Sequence, residues 1–167
     1  RRDALPAATR ETLAGLAGTA RAVVDDLRDT VWLVDAAHDD LASVVARMEL
    51  FAVTTLDGRG SVVAPEAPPA RPLPMEVRRD LYLLFTEALH NAVRHAGGSA
   101  VDVRIEAEGA RVGFEVADGG SGFDPEAVSA GRGLSTMRQR AAALGGTLIW
   151  ERRPAGGTVV RFRADLG

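Results

Sequence analysis

LFTEALHNAVRHAGGS, residues 84–99, carries Glu87, Asn91 and His95 at steps of four. Steps of four along a helix return to one face, so a carboxylate, an amide and an imidazole leave this segment together. Leu81, Leu84, Phe85, Ala88, Leu89 and Ala92 fall on the other side. They predict the buried face of a helix that starts at Pro74 and reaches about Ala96, where Gly97-Gly98 stops it. Downstream come Asp118-Gly119-Gly120-Ser121-Gly122-Phe123 and then Gly131-Arg132-Gly133-Leu134. A polar helix face followed by two glycine clusters in this order is the layout of a nucleotide site that has no Walker lysine.

Composition limits the alternatives. With 167 residues and 46% apolar content, the chain holds one ordinary domain with a real core and an extra helical element. The 20 basic and 23 acidic residues leave a formal charge of -3, which excludes a strong field for nucleic acid or an anionic membrane. Proteins and small ligands are the expected partners. There is no cysteine, hence no disulfide framework or thiolate metal site, and no apolar run is long enough to span a bilayer. A cytoplasmic location follows as the expectation. Arg1-Arg2-Asp3 has neither a Met nor an apolar signal core, as expected for a piece of a longer protein whose parent could be membrane-anchored. All basic residues are arginines, so a phosphate must be met by Arg, by helix termini or by backbone amides.

Outward from the central helix, Leu13, Leu16, Ala20, Val23, Val24, Leu27, Val31 and Val34 recur at three- and four-residue steps. They predict a long helix from about Pro6 to Val34, whose apolar stripe needs a partner helix in the same molecule or across a dimer. A shorter helix is predicted from Asp39 or Asp40 to Ala52, with Asp39 as a possible N-cap and His38 in the joint before it. Thr54 to Pro74 reads as a surface connection containing a short β-like run, Ser61 to Ala64. Val101, Val103 and Ile105, then Val112, Phe114 and Val116, alternate as two strands of a hairpin turning at Gly109. A helix over Leu134 to Leu144 and strands over Leu148 to Glu151 and Val159 to Phe162 complete the chain. The fold class expected is α+β, a two-layer α/β sandwich with a mixed sheet and helices on one face, preceded by the long N-terminal helix.

Each candidate cluster has a bland reading as well. Glu87 and Asn91 offer the hard oxygen ligands that Mg2+ accepts beside phosphate, but the same triplet suits a solvated helix face. Asp118 at a strand end can accept from an exocyclic amine, while the glycines after it also suit a tight turn. Gly131-Arg132-Gly133 before a helix offers amides and a dipole to an anion, as many loop ends do. Together and in order they are far more specific.

In combination the residues resemble the ATP-binding domain shared by sensor histidine kinases and gyrase-type ATPases, the GHKL superfamily. Glu87-x-x-x-Asn91 with Arg94-His95-Ala96 resembles the N box, Asp118-x-Gly120-x-Gly122 the G1 box, Gly131-x-Gly133-Leu134 the G2 box, and Gly157-Thr158 the closing Gly-Thr. Leu27-Arg28-Asp29-Thr30-Val31-Trp32, Arg79-Asp80-Leu81-Tyr82 and Met137-x-x-Arg140-Ala141 are similar to the nitrate-sensor and membrane-fluidity-sensor class of kinases. The resemblance implies ATP and Mg2+ as ligands, Asn91 as the metal ligand and Glu87 as the catalytic carboxylate that orients or deprotonates the phosphate acceptor. Asp118 would bind the adenine amine with Thr158 joining through water, and Gly120 and Gly122 would let base and ribose approach. Gly131, Gly133 and Leu134 would form the lid near the phosphates, with Arg94 and His95 at the phosphate end.

The same resemblance divides the chain into residues 1–38, part of a second dimerisation helix, and residues 39–167, the catalytic domain. It implies a protein histidine kinase that works as a homodimer and hands its phosphoryl group to the receiver domain of a response regulator. The acceptor helix is missing from this sequence; His38-Asp39-Asp40 matches its local pattern but sits after the Trp32 signature, and His38 reads as a joint residue. The chain is therefore expected to bind ATP without autophosphorylating. Arg94 stands where Lys is common in the N box, and Gly119 where Asn is common in G1. A serine-directed kinase of the anti-sigma type, or a dimeric scaffold that binds nucleotide without phosphotransfer, would use the same boxes.

Overall fold

A computed structural model describes residues 39–122 and 132–167. The predicted helix over Pro6 to Val34, His38 and Gly131 lie outside the described residues.

Helix α1, Leu41–Leu56, begins where the Asp40 carboxylate accepts from the Ser43 amide at 2.7 Å. Asp40, not Asp39, is thus the N-cap: its extended backbone sets the side chain over the first turn. The helix also runs beyond Ala52. Leu56 is buried in its last turn, and Thr54 Oγ1 donates back to the Leu50 carbonyl at 2.8 Å, so the hydroxyl is satisfied within the helix. Asp57 ends it in the left-handed conformation, with φ 46°, and its amide bonds to the Val53 carbonyl.

Strand β1, Gly60–Val63, pairs in parallel with β2, Val101–Glu108, in the register Gly60↔Val101. A Cβ at position 60 would overlap the Val101 carbonyl, so glycine is required where the strand enters the sheet. Helix α2, Met75–His95, follows Pro74, and Gly97 and Gly98, both at positive φ, turn the chain out of it. Strand β3, Arg111–Asp118, forms the hairpin with β2 around Gly109, whose φ is 59°. Helix α3, Arg132–Ala143, then leads through Gly145 and Gly146 into β4, Thr147–Arg152, which pairs antiparallel with β5, Thr158–Asp165. The five strands lie in the order β1-β2-β3-β5-β4. Only the β1 pairing is parallel, so the sheet is mixed, and the fold is the expected α+β sandwich.

Strand alternation separates the two sheet faces. Val103, Val116 and Val160, and likewise Ile105, Phe114 and Phe162, line up across β2, β3 and β5 and are buried under the helices. Phe114 stacks edge-on against Phe85 of α2 at 5.3 Å and leans on Phe162 at 5.5 Å. Helix α1 covers the other flank of α2 through Phe51, which meets Tyr82 and Phe85 at 6.0 and 6.5 Å. On the opposite face Arg161 pairs with Glu115 at 2.6 Å and with Glu151 on the neighbouring strand. The hydrogen bond to Glu115, then that to Glu151, raises the Arg161 guanidinium above its ordinary pKa. His90 is exposed on α2 and meets the Phe51 ring at 5.3 Å, away from the Glu87 face.

Candidate nucleotide site

The face of α2 that carries Glu87 and Asn91 looks at α3, not at bulk solvent. Both residues are half-buried, while Arg94 and His95 at the end of the helix are exposed. The Asn91 side-chain amide donates to Glu87 Oε1 at 3.3 Å and to the Met137 sulfur of α3 at 3.7 Å. Its amide oxygen is then the atom left to act as an acceptor or a hard metal ligand. Gly133, in the first turn of α3, lies against Glu87: a Cβ there would stand 2.7 Å from Glu87 Oε1. The carboxylate therefore sits at the positive end of a twelve-residue helix. At the outer end of the same helix pair, Asp80 lies 3.3 Å from Arg79 and 3.8 Å from Arg140, so two runs far apart in sequence meet across α2 and α3.

Asp118 ends β3 with only 3% of its surface exposed. Its Oδ1 accepts from the Gly120 amide at 2.8 Å, and its carbonyl accepts from an Arg153 guanidinium nitrogen at 3.2 Å. The Gly119 carbonyl accepts from Ser99 Oγ at 3.0 Å, which ties the turn to the end of α2. Glycines make this packing possible. A Cβ at Gly120 would overlap the His95 carbonyl, and one at Gly157, where φ is 90°, would overlap the Asp118 carbonyl. Gly122 has φ 82° and lies against Arg152, 2.9 Å from where its Cβ would be to the guanidinium Nε. Thr158 opens β5 beside them and is 5% exposed.

These elements enclose a cavity of about 340 Å3. Glu87, Asn91, Arg94, His95, Asp118, Gly133, Leu134 and Thr158 all line it, so residues from four separate segments converge on one space. Gly120 and Gly122 are not on its wall; they shape the turn behind Asp118, and their need for glycine arises from neighbouring protein atoms. Met137, Trp150 and Val160 also line the cavity and were not among the sequence candidates. Trp150 had a legible signal, its period-two step from Leu148, which puts it on the helix-facing side opposite Val160. Among the described residues no group of three or more His, Cys, Asp or Glu forms a metal cage. A divalent ion would be held by the Asn91 oxygen together with ligand oxygens, a donor set that suits Mg2+.

Residues 76–167 match the model of the family described as histidine kinase-, DNA gyrase B- and HSP90-like ATPases. The chain belongs to this family. Every described cavity residue named above falls within the matched span. Relatives include the signal transduction histidine-protein kinase/phosphatase UhpB of Salmonella typhimurium, 41% identical over 71 residues, covering 42% of this chain and 14% of UhpB. The sensor histidine kinase MctS of Rhizobium johnstonii is 35% identical over 91 residues, covering 52% of this chain and 20% of MctS. The chain thus aligns with a fifth or less of the length of these two relatives. Among solved structures, the histidine kinase domain of an Erythrobacter litoralis blue-light activated kinase superposes with a TM-score of 0.57 at 23% identity, over 75% of this chain and 60% of that one. Full-length ShkA in complex with AMPPNP gives 0.56 at 21% identity, over 97% of this chain and 40% of that one. These similarities establish the ATPase-type fold. No helix among the described residues is long and apolar enough to cross a membrane.

Proposed function

We propose that this chain is the ATP-binding catalytic domain of a two-component sensor histidine kinase, with residues 1–38 contributing part of its dimerisation helix and residues 39–167 the catalytic domain. One observation carries the reading: Asp118, the Glu87–Asn91 pair and the first turn of α3 face a single cavity although they are far apart in sequence. The named relatives, histidine kinases by description, add to it.

Asp118, held by the Gly120 amide, keeps a second carboxylate oxygen to accept from the exocyclic amine of adenine, with Thr158 beside it. Asn91 offers its side-chain oxygen to Mg2+ at the triphosphate, and Arg94 and His95, which line the same cavity, would face the phosphate end. The metal would neutralise charge on the triphosphate oxygens. Glu87 orients the acceptor imidazole or removes its proton as the ring nitrogen takes the γ-phosphoryl group and ADP leaves. Positioning and charge neutralisation are the main requirements of such a transfer. In the intact homodimer, in the cytoplasm, the phosphoryl group would pass to the receiver domain of a response regulator.

Calorimetric titration with a non-hydrolysable ATP analogue tests this reading. Saturable binding that tightens on adding Mg2+ is expected, and absence of saturable binding would overturn it. The isolated chain should form no acid-labile, alkali-stable phosphate; such phosphate, abolished by His38→Gln, would contradict the expectation that it lacks an acceptor.

A further inference from the structure

Trp150 is a large aromatic side chain on the cavity wall that none of the roles above uses. It stands on β4 directly opposite Val160, with Thr158 two residues further along β5 on the same sheet face. Cross-strand diagonal neighbours of this kind lie about 7–8 Å apart, and Trp150, Val160 and Thr158 all line the cavity, so the indole and Thr158 share one stretch of its wall. Arg138, on α3, places its guanidinium carbon 5.2 Å from the centre of the ring. Arg138 is exposed and not on the cavity wall. A cation over the ring fixes an indole in one orientation without filling the cavity itself.

We propose that Trp150, clamped by Arg138, is the aromatic wall against which the nucleobase packs, and that it sets a preference for purine over pyrimidine nucleotides. This rests on the nucleotide reading given above. A purine presents two fused rings to such a wall and a pyrimidine one, and contact between a base and an aromatic side chain scales with the area shared. Asp118 does not make this distinction, because cytosine carries an exocyclic amine just as adenine does. Comparing ATP with CTP therefore separates the wall from the carboxylate.

The experiment titrates the wild-type chain and its Trp150→Leu, Trp150→Phe and Arg138→Gln variants with ATP and with CTP in the presence of Mg2+, and reads the ratio of the two affinities. Trp150→Leu is expected to lower the ATP preference by about tenfold, within the range of base–aromatic contacts, and Trp150→Phe to retain most of it. Arg138→Gln, an exposed change that leaves the fold intact, is expected to lower the ratio by about two- to fivefold. A ratio unchanged in Trp150→Leu, or in Arg138→Gln should the leucine variant not fold, overturns the inference while ATP binding by the wild type stands. A wild-type chain that binds neither nucleotide overturns the nucleotide reading itself.

Discussion

Replacing Asp118 by Asn removes one charge and turns one acceptor into a donor with almost no change in volume. In the structure Oδ1 is engaged by the Gly120 amide at 2.8 Å, and an Asn oxygen can keep that bond. The NH2 group must then take the other position, where it would face the donor amine of adenine. A hydrogen bond to a charged acceptor contributes about 1.5–3 kcal/mol, and an unmatched buried polar group costs a similar amount. With Asp118 only 3% exposed, solvent does little to screen the loss. A total of about 3 kcal/mol corresponds to roughly a hundredfold weaker binding. Calorimetry with an ATP analogue measures the affinity, and a thermal melt checks that the retained Gly120 bond keeps the fold. Unchanged affinity in a folded Asp118→Asn protein would refute the assignment of the base end to this carboxylate.

Asn91→Asp adds a charge at the proposed metal position. ATP binding without Mg2+ should weaken and the gain on adding Mg2+ should grow, which the same titration with and without chelator reads. Gly157→Ala forces a Cβ onto the Asp118 carbonyl at φ 90°. Strain of about 1–3 kcal/mol or more should lower Tm by at least about 3 °C and weaken ATP binding with it, as differential scanning fluorimetry and calorimetry would show. The Arg161 cluster is expected to matter little, less than about 1 kcal/mol for Arg161→Gln, because its members are partly exposed and screened. Its pH sign is also fixed. The folded-state pKa of Arg161 is raised, so its contribution is complete below the unfolded value and lost only as pH rises through the folded one. Melts across the neutral range should show no change of slope attributable to Arg161.

Much of this fold could be read in the chain because its signals are local. The alternation of Val101, Val103 and Ile105 against Val112, Phe114 and Val116 fixes a hairpin and its buried face, and the apolar side of α2 fixes which face covers it. Strand order was not legible. β1 is joined to β2 through the whole of α2 and pairs with it in parallel, a non-local choice that its four residues do not encode. The end of α1 was missed for a related reason: the burial of Leu56 depends on tertiary packing, which overrides the weak helix propensity of Thr54 and Thr55. At the site, the polar residues stood out by spacing, but Met137, legible only as part of the run after the second glycine cluster, gave no sign of lining the cavity. Its contact with Asn91 bridges 46 residues, and no local pattern reports it.

The glycines show how function and packing share one requirement. Gly120 reads in sequence as a place where a ligand approaches the backbone, yet what the missing Cβ atoms of Gly120 and Gly157 admit is the His95 and Asp118 carbonyls. The turn after β3 is thereby pressed against the end of α2 and the β4–β5 hairpin; the Gly120 amide holds the Asp118 carboxylate, while Ser99 and Arg153 hold the backbone carbonyls of Gly119 and Asp118. A carboxylate held in this way would lose little freedom on meeting a ligand donor, so less of the binding energy would go into ordering it. Gly133 serves the other end of the cavity by letting the first turn of α3 reach Glu87, which in turn bonds Asn91. The Asp118 end and the Glu87–Asn91 end of the cavity are thus set by separate contacts. A change at Gly157 should act through Asp118, and a change at Gly133 through the Glu87–Asn91 pair, with little coupling between the two.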